Sequence, residues 1–303
     1  VYFNQTNDLF SNNLRIGSYT GYTAINMNVG TMKNRGWEFA LWTQPYKTRE
    51  LVIGFDFNIS QNENIISEIS PYYPMERGNM NAPGNYLAVL QINNPFGSFY
   101  GYRFKGVYKD KESTIARDAK GNPIIGPNGQ TIYMRFSYPT VDYIFQPGDA
   151  MYEDVNKDGN IDYKDVVYLG NNNPRLYGGF GPNLSWKNGM WRLSAFFNYR
   201  YDVDVVNGTK MNTTRMNGFD NQSTAVLRRW RNVGDITDIP RAVQGTSYNW
   251  LGSDKYVEDA SFLRFRTITL RYTIPPVKLR RIGFKSLSAY VTAENLYTFT
   301  NYT

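Results

Sequence analysis

The sequence predicts an all-β chain, and three observations support that prediction. Apolar and polar residues alternate with a period of two in several segments, no segment has the spacing of a long amphipathic helix, and short connections alternate with very long ones. No stretch of about 18 apolar residues exists, which excludes a transmembrane helix. This does not exclude a membrane protein built from strands, because the apolar residues of such strands only alternate with polar ones.

The alternation is clearest in five segments: 36–43, 51–60, 191–201, 262–274 and 286–294. In each of them apolar side chains fall on one face of the predicted strand and polar side chains on the other. Within 262–274 the alternation changes phase near Arg266, which predicts a β-bulge. Aromatic residues near strand ends would suit the two interfaces of a membrane: Trp37, Tyr199, Tyr201 and Tyr272.

The connections between these strands differ greatly in length. Residues 44–50, 187–189 and 275–285 are short links, whereas 61–175 and 202–260 are long intervals rich in Asn, Gly, Pro and Asp. In an up-and-down antiparallel sheet alternate connections emerge at opposite ends, so one end would carry tight turns and the other long loops. This asymmetry is typical of outer-membrane barrels, with the long loops outside the cell. A soluble β-sandwich, whose apolar faces pack on each other, remains an alternative.

The composition excludes several classes of function. The 303 residues include no cysteine and no histidine, which removes thiol nucleophiles, Cys-type zinc sites and the commonest general base. The net charge of +7 comes from dispersed basic residues, apart from "RRWR" at 228–231 and "KLRR" at 278–281. We therefore expect no nucleic-acid partner, and no carboxylate pair stands out as catalytic. The chain is predicted not to be an enzyme.

The stretch "DVNKDGNIDYKD" at 154–165 has the spacing of a calcium loop. Such a loop wraps oxygen ligands at its positions one, three, five, seven, nine and twelve around one ion, and a glycine at position six permits the sharp turn. The corresponding ligands are Asp154, Asn156, Asp158, the backbone carbonyl of Asn160, Asp162 and Asp165. Position twelve is Asp instead of the usual Glu, which suits weaker binding outside the cell. An ion-free loop of Asx turns is the alternative.

Four further stretches resemble, in order and spacing, the SusC/RagA family of TonB-linked outer-membrane proteins. They are "NVGTMKNRGWEFAL" (28–41), "NPFGSFYGYRFKGVY" (94–108), "PGDAMYEDVNKDGNIDYKDVVYLGNNNPRLYGGF" (147–180) and "ENLYTFTNYT" (294–303). Their order and approximate spacing agree with the family over essentially the whole chain, so the resemblance is specific.

The resemblance implies more than this chain contains. Family members have an N-terminal plug and a segment that contacts TonB, followed by an antiparallel transmembrane barrel of about 22 strands. Residues 1–303 would then be the C-terminal part of one barrel domain, without the plug and the final closing strand. Intervals 61–175, with the calcium-type loop, and 202–260 would be long extracellular loops.

The function implied by the resemblance is TonB-dependent import of an oligosaccharide or peptide across the outer membrane of a Bacteroidetes-type cell. The implied partners are a SusD-like surface lipoprotein, TonB through the missing N-terminal region, outer-membrane lipid and lipopolysaccharide, and a second transporter–lipoprotein pair in a dimer. A passive porin and a secreted, calcium-stabilised, carbohydrate-binding β-sandwich remain alternatives. The "RRWR" stretch is a candidate contact for lipopolysaccharide phosphates or a partner protein, and "SFYGYRF" (98–104) is either a stacking surface for substrate or a packed hairpin.

Overall fold

The fold is taken from a computed structural model, which describes residues 1–15, 24–71, 86, 91–137, 141–245, 247–279 and 283–302. The predicted intervals 61–175 and 202–260 therefore include some positions outside the described residues, as does the predicted segment 294–303. In the described part the chain is built mainly from strands, so the all-β prediction is confirmed. None of the helices described there is long and apolar enough to cross a membrane.

The described residues form sixteen strands, two short helices and four 3-10 turns. The strands are β1 (Tyr2–Arg15), β2 (Ala24–Lys47), β3 (Leu51–Ile69), β4 (Ser98–Gly101), β5 (Phe104–Val107), β6 (Arg135–Phe136), β7 (Tyr143–Ile144), β8 (Ala150–Tyr152), β9 (Asn160–Ile161), β10 (Val167–Asn171), β11 (Leu176–Trp186), β12 (Trp191–Tyr201), β13 (Asp204–Val206), β14 (Val257–Asp259), β15 (Phe262–Thr273) and β16 (Ser288–Thr300). The helices are α1 (Gly208–Thr214) and α2 (Pro276–Leu279), and the 3-10 turns are Glu112–Thr114, Tyr163–Asp165, Thr224–Arg228 and Asp254–Tyr256.

The chain divides into two compact units. Val1–Glu68, Asn173–Asp204 and Asp259–Thr303 form one, which we call the strand unit. Ile69–Asn172 and Val205–Glu258 form the other, which we call the loop unit.

The strand unit is one open sheet with the strand order β1-β2-β3-β11-β12-β15-β16. The pairings of β3, β11, β12, β15 and β16 along this order are antiparallel. Within the described residues the sheet does not close on itself, since β1 and β16 are its edges. It is a single layer, not the pair of packed sheets that a β-sandwich requires.

The two faces of this sheet have opposite chemistry. On one face, which we call the apolar face, an aromatic row crosses five strands at one level: Phe57, Phe180, Phe197, Phe265 and Tyr297. An aliphatic row runs parallel to it nearer the tight turns: Ile53, Leu184, Leu193, Leu270 and Val291. The other face, which we call the polar face, has a row of small polar side chains between these levels: Asn183, Ser194, Thr269 and Thr292.

The strands differ from the predicted segments in length and number. β3 continues to Ile69, past its predicted end at 60, and β2 is much longer than the predicted segment 36–43. β1 was not predicted at all. The predicted bulge is confirmed, because the register of β15 shifts between Phe265 and Thr267 against both neighbouring strands.

The loop unit has a core of its own, rich in aromatic residues. Its strands are only two to five residues long, yet they enclose fully buried rings such as Tyr100, Tyr102 and Phe136. The ring of Phe136 stacks on Tyr248 with 4.8 Å between centroids, which joins the two long intervals of the sequence. The intervals 61–175 and 202–260 therefore do not form two separate loops; they contribute to one folded body.

A buried ion pair joins the same two intervals. Asp149 is fully buried and accepts hydrogen bonds from Arg241 Nε at 2.8 Å, from the Tyr143 hydroxyl at 2.7 Å and from the Gln146 backbone N–H at 2.8 Å. Gly148 has φ +88°, and a Cβ there would collide with the ring of Trp230. Glycine is thus required where the backbone of one interval approaches the other.

Candidate functional site

The calcium-type loop 154–165 lies inside the loop unit and is tied to its core. β9, within the loop, pairs in parallel with β6, and Ile161 in β9 is fully buried. The backbone N–H of Arg135 donates to the carbonyl oxygen of Gly159 at 3.2 Å. The next residue in β6, Phe136, stacks on Tyr248, so β6 connects the loop to the aromatic core.

The first half of the loop winds around the carboxylate of Asp154. Asp154 Oδ2 accepts from the backbone N–H of Gly159 at 2.8 Å, and Oδ1 accepts from that of Asp158 at 3.3 Å. Lys157 and Gly159 have φ +60° and +84°, which makes the tight turn. A Cβ on Gly159 would come within 2.8 Å of the Ala116 Cβ, so the loop also packs too closely there for any other residue.

The middle of the loop is a succession of Asx turns. Asn156 Oδ1 accepts from the backbone N–H of Asp158 at 3.1 Å, and Asp158 Oδ1 accepts from that of Asn160 at 2.9 Å. The side-chain amide of Asn160 donates to Asp162 Oδ2 at 3.3 Å. Asn160 Oδ1 is buried and has no hydrogen-bond partner in the described residues. The sequence predicts only the backbone carbonyl of Asn160 as a ligand, so the position of its side-chain oxygen is a finding of the structure.

The last turn of the loop is closed by Asp162 and Asp165. Asp162 Oδ1 accepts from the backbone N–H of Lys164 at 2.7 Å, and Asp165 Oδ2 accepts from that of Asp162 at 2.9 Å. Asp165 Oδ1 accepts from the backbone N–H of Val155 at 2.8 Å, which ties the end of the loop to its start. The shorter Asp side chain at position twelve thus holds the loop closed through two backbone contacts.

The loop concentrates negative charge in a buried place. Asp154, Asp162 and Asp165 are all buried. Burial raises the pKa of Asp165 to about 6, and the neighbouring carboxylates of Asp154 and Asp162 act in the same direction, while its two backbone hydrogen bonds oppose the shift. Lys164 Nζ lies 3.9 Å from Asp158 Oδ2, on the exposed side of the loop. Buried like charges of this kind are stabilised by a bound cation.

The oxygen ligands of the loop are of the kind that calcium prefers, but their side chains do not point to one common centre. Carboxylate and amide oxygens are the ligands that calcium prefers, and an oxygen that accepts one backbone N–H has a second lone pair to offer. Within the described part of the chain, however, no three carboxylates gather closely enough to hold an ion as they stand. Asn160 Oδ1, which is buried without a hydrogen-bond partner among the described residues, is one more oxygen of the kind that calcium prefers.

Two other stretches singled out in the sequence have clear positions. In 98–104, Tyr100 and Tyr102 are fully buried, so these two rings are packed and do not form an exposed surface for stacking substrate. The predicted hairpin is not found, because β4 pairs with β10 and β5 pairs with β8. In 228–231, Arg228 lies 3.6 Å from Asp238, and Trp230 packs against Gly148. The interpretation of 228–231 as a lipopolysaccharide contact stays a prediction.

The polar face of the strand unit is the other candidate surface. Polar side chains such as Asp56, Asn198 and Glu294 occur at polar-face positions of the sheet. The amide of Asn183 donates to Asp56 Oδ2 at 3.1 Å, and Arg264 Nε donates to Thr298 Oγ1 at 3.1 Å.

Comparisons with known proteins bear on the whole chain. It is 29% identical over 326 residues to TonB-dependent receptor P39 of Formosa agariphila, covering 99% of this chain and 30% of that protein. It is 25% identical over 317 residues to TonB-dependent receptor SusC of Bacteroides thetaiotaomicron, covering 99% of this chain and 26% of that protein. The resemblance predicted from the sequence is confirmed.

These relatives are named receptors and not enzymes, and the chain spans less than a third of their length. No protein-family model matches the chain. A solved structure of the RagAB peptide transporter has the same fold over 99% of this chain and 29% of that one, with a TM-score of 0.69 and 20% sequence identity. The RagAB importer in its open-open state matches with a TM-score of 0.66. At this identity the likeness concerns the fold alone.

Proposed function

We propose that this chain is the C-terminal barrel portion of a TonB-dependent importer in the bacterial outer membrane. The observation that supports this most directly is the similarity to TonB-dependent receptors over nearly the whole chain. In this proposal the seven-stranded sheet is part of a closed barrel of about 22 strands, whose remaining strands and plug come from the rest of the protein.

The chemistry of the sheet supports a membrane location. The aliphatic row on the apolar face is between 36% and 75% exposed in the described residues. Leaving such a contiguous apolar surface in water is unfavourable by about 25 cal/mol for each Å². Lipid tails would cover the apolar face, and the polar face would line the lumen.

The aromatic residues at the tight-turn end fit the same arrangement. Trp191 and Tyr272 pack with 4.5 Å between ring centroids, and Lys187 Nζ lies 4.7 Å from the centroid of Trp186. Amphipathic rings beside a lysine suit the headgroup level of a bilayer. The loop unit is then extracellular, because both long intervals leave the sheet at the opposite end.

The cargo and partners follow from the same proposal. The imported solute is an oligosaccharide or a peptide, and the RagAB structures, which are of a peptide transporter, favour the peptide. We propose a SusD-like lipoprotein as the partner at the cell surface, TonB as the partner of the N-terminal region, and lipopolysaccharide as the lipid around the loop end. Two transporter–lipoprotein pairs would form a dimer.

Fractionation of cells with an antibody to residues 91–137 tests the location and orientation. We expect the protein in the outer membrane and labelled on intact cells. Recovery in the soluble fraction would favour a secreted binding domain and would reject the importer. Uptake of labelled peptides or oligosaccharides by cells with and without a functional TonB separates active import from a passive porin, which would continue without TonB.

We also propose that the loop 154–165 binds structural calcium. Asp154, Asn156, Asp158, Asp162 and Asp165 would supply side-chain oxygens and Asn160 its carbonyl. The cation would neutralise the buried carboxylates and stiffen the loop unit. What supports the proposal is the spacing of the six positions together with the buried negative charge and the orphaned Asn160 Oδ1.

Calorimetric titration of the full-length protein with calcium after chelation tests this proposal. We expect one site, with magnesium binding at least about tenfold more weakly because it requires a smaller octahedral cage. Asp158→Asn should weaken calcium binding, whereas Asp220→Asn, an exposed change elsewhere in the loop unit, should not. Protease resistance of the loop unit that is the same with and without calcium would contradict the stiffening role.

A further inference from the structure

A cavity in the loop unit has no role in import or in calcium binding as described above. Its volume is about 250 Å³, and one wall is formed by Asp154 and Lys157 of the calcium-type loop. Lys105, Arg117 and Glu153 also line it. Ligand pockets for drug-sized molecules usually measure about 300–1,000 Å³, so this cavity suits one compact chemical group and not a whole oligomer.

The inner surface of the cavity is formed mainly by large side chains. Tyr108, Met134 and Tyr152 line it and are buried. The Tyr152 hydroxyl donates to the Tyr248 carbonyl oxygen at 3.1 Å and accepts from the Leu251 backbone N–H at 3.1 Å. Tyr108 is only 2% exposed, and its hydroxyl can donate one hydrogen bond. Burial raises the pKa of Tyr108, which keeps the hydroxyl protonated and able to donate.

The acceptors that line the cavity are already engaged. Glu153 Oε2 accepts from Arg103 Nη1 at 3.1 Å, and its Oε1 lies 3.4 Å from Lys105 Nζ. Both carboxylate oxygens of Asp154 accept from backbone N–H groups of the loop. In the calcium-bound loop proposed above Asp154 also coordinates the ion, so the cavity offers few acceptors to a ligand that donates hydrogen bonds.

The donors, in contrast, are in excess. Arg117 pairs with Glu112 at 2.7 Å and with the Gly121 carbonyl at 3.1 Å, which uses two of the five N–H groups of its guanidinium. Lys105 has three donors and faces one carboxylate. Lys157 makes no ion pair in the part of the chain that the structure describes. Its backbone has a left-handed conformation, with φ +60°.

From this excess of donors around an apolar floor we propose that the cavity binds a compact oxyanion group carried on a small organic body, with a carboxylate as the typical case. Lys157 and Arg117 supply the charge, and the Tyr108 hydroxyl donates from below. Charge-assisted hydrogen bonds of this kind are about twice as strong as neutral ones. The source of the group is either a free organic acid or an acidic sugar.

Titration of the full-length protein in detergent, at constant ionic strength and saturating calcium, tests the proposal. The probes are D-glucuronate, D-glucose and acetate. Glucuronate and glucose differ mainly in the carboxylate that replaces a hydroxymethyl group, so they form a matched pair. We expect glucuronate to bind at least about tenfold more tightly than glucose.

Acetate binding as tightly as glucuronate identifies a site for free organic acids, and clearly weaker acetate binding identifies an acidic sugar. Equal binding of glucuronate and glucose, or binding of neither glucuronate nor acetate, overturns the proposal.

Three variants assign the binding to this cavity. Lys157→Gln and Arg117→Gln should each weaken glucuronate binding about tenfold, and Tyr108→Phe should weaken it several-fold without changing the packing volume much. Lys164→Gln is the matched control, because Lys164 lies in the same loop but does not line the cavity. An unchanged thermal midpoint without the probe shows that each variant is folded. If Lys164→Gln weakens binding as much as Lys157→Gln, the cavity is not the site. None of these readouts requires transport, so they are independent of the import proposal.

Discussion

The two units of this chain bury their apolar residues in opposite ways. The loop unit hides aromatic rings such as Tyr102, Phe136 and Trp250, as a water-soluble domain does. The strand unit leaves large apolar side chains exposed, among them Leu193, Leu270 and Val291 on one face of the sheet. The loop unit therefore contacts itself through its apolar side chains, whereas one face of the strand unit leaves them for another surface to cover.

The same contrast applies to the sources of stability. In the loop unit, contacts between residues far apart in sequence, such as Phe136 with Tyr248 and Asp149 with Arg241, hold short strands together. In the strand unit, long strands form backbone ladders with their neighbours, and stacked rings join them: Phe180 to Phe197 at 4.8 Å and Phe197 to Phe265 at 4.5 Å between centroids. Removing a buried side chain should therefore destabilise the loop unit most, and placing a charge on the apolar face should destabilise the strand unit most.

The largest expected effect is that of opening the core of the loop unit. Phe136→Ala removes a fully buried ring that stacks on Tyr248 and packs against Tyr102. We expect a loss of about 3–5 kcal/mol in the free energy of unfolding of the loop unit. Protease digestion of the full-length protein in detergent measures this as faster cleavage within the unit. Phe219→Ala, at a ring that is 96% exposed, is the control and should change little. Equal sensitivity of the two variants would mean that the loop unit lacks a cooperative core.

A charge on the apolar face should have the next largest effect. Ala195 and Ser194 are adjacent in β12 but occur on opposite faces, opposite Ile268 and Thr269 of β15. Ala195→Arg should destabilise the membrane-inserted protein by about 2–4 kcal/mol, because the arginine would face lipid near the middle of the strand. Its amount in the outer membrane measures the effect.

Ser194→Arg is the matched control for that experiment. It introduces the same side chain one residue away, on the face that we assign to a polar lumen, and should be tolerated within about 1 kcal/mol. If Ser194→Arg is the more harmful of the two, the assignment of the faces is reversed.

Sequence alone predicted the strand unit better than the loop unit, for a physical reason. A strand with one apolar and one polar face must alternate along its length, so segments such as 191–201, and even the bulge at Arg266, could be predicted from the residue order. β1, "YFNQTNDLFSNNLR", alternates poorly and was missed. The core of the loop unit has no period, because it joins residues such as Phe136 and Tyr248 from different intervals.

The candidate sites show the same limit. The calcium-type loop could be predicted because its ligands are close in sequence and its turn requires Gly159. Its Asx turns are found in the structure, and calcium itself stays a prediction. The cavity beside it could not be predicted, since Lys105, Tyr108, Arg117 and Lys157 come from separate segments that only the fold brings together.

A smaller effect is expected from the ion pair that joins the two intervals in the loop unit. Arg241→Met leaves the fully buried carboxylate of Asp149 with its Tyr143 and Gln146 donors but without its cation. We expect a loss of about 1.5–3 kcal/mol in the stability of the loop unit, measured by the same protease assay. Arg228→Met removes an exposed pair with Asp238 and should cost at most about 1 kcal/mol. Similar losses of stability in the two variants would show that the ion pair with the buried Asp149 stabilises the loop unit no more than an exposed ion pair does.

The smallest expected effect concerns pH and Lys255, whose ammonium lies 4.3 Å from the centroid of Phe104 and donates to the backbone carbonyl of Asp238. Burial lowers the pKa of Lys255 from 10.5 to about 8. Between these values the unfolded chain binds more protons than the folded one, so this lysine makes the loop unit more stable as the pH rises through that window.

The test is the thermal or protease-derived stability of the loop unit between pH 7 and about 9, because ordinary tyrosines, with a pKa of about 10, begin to ionise above that limit. Burial raises the pKa of Tyr256 beside Lys255, so tyrosine ionisation on unfolding lowers stability only above that limit. Lys255→Met should abolish the rise with pH that Lys255 causes, whereas Lys120→Met, at an exposed position of the same unit, should keep it. A rise that survives in Lys255→Met would come from another group and would show that this ammonium is as well solvated in the loop unit as in the unfolded chain.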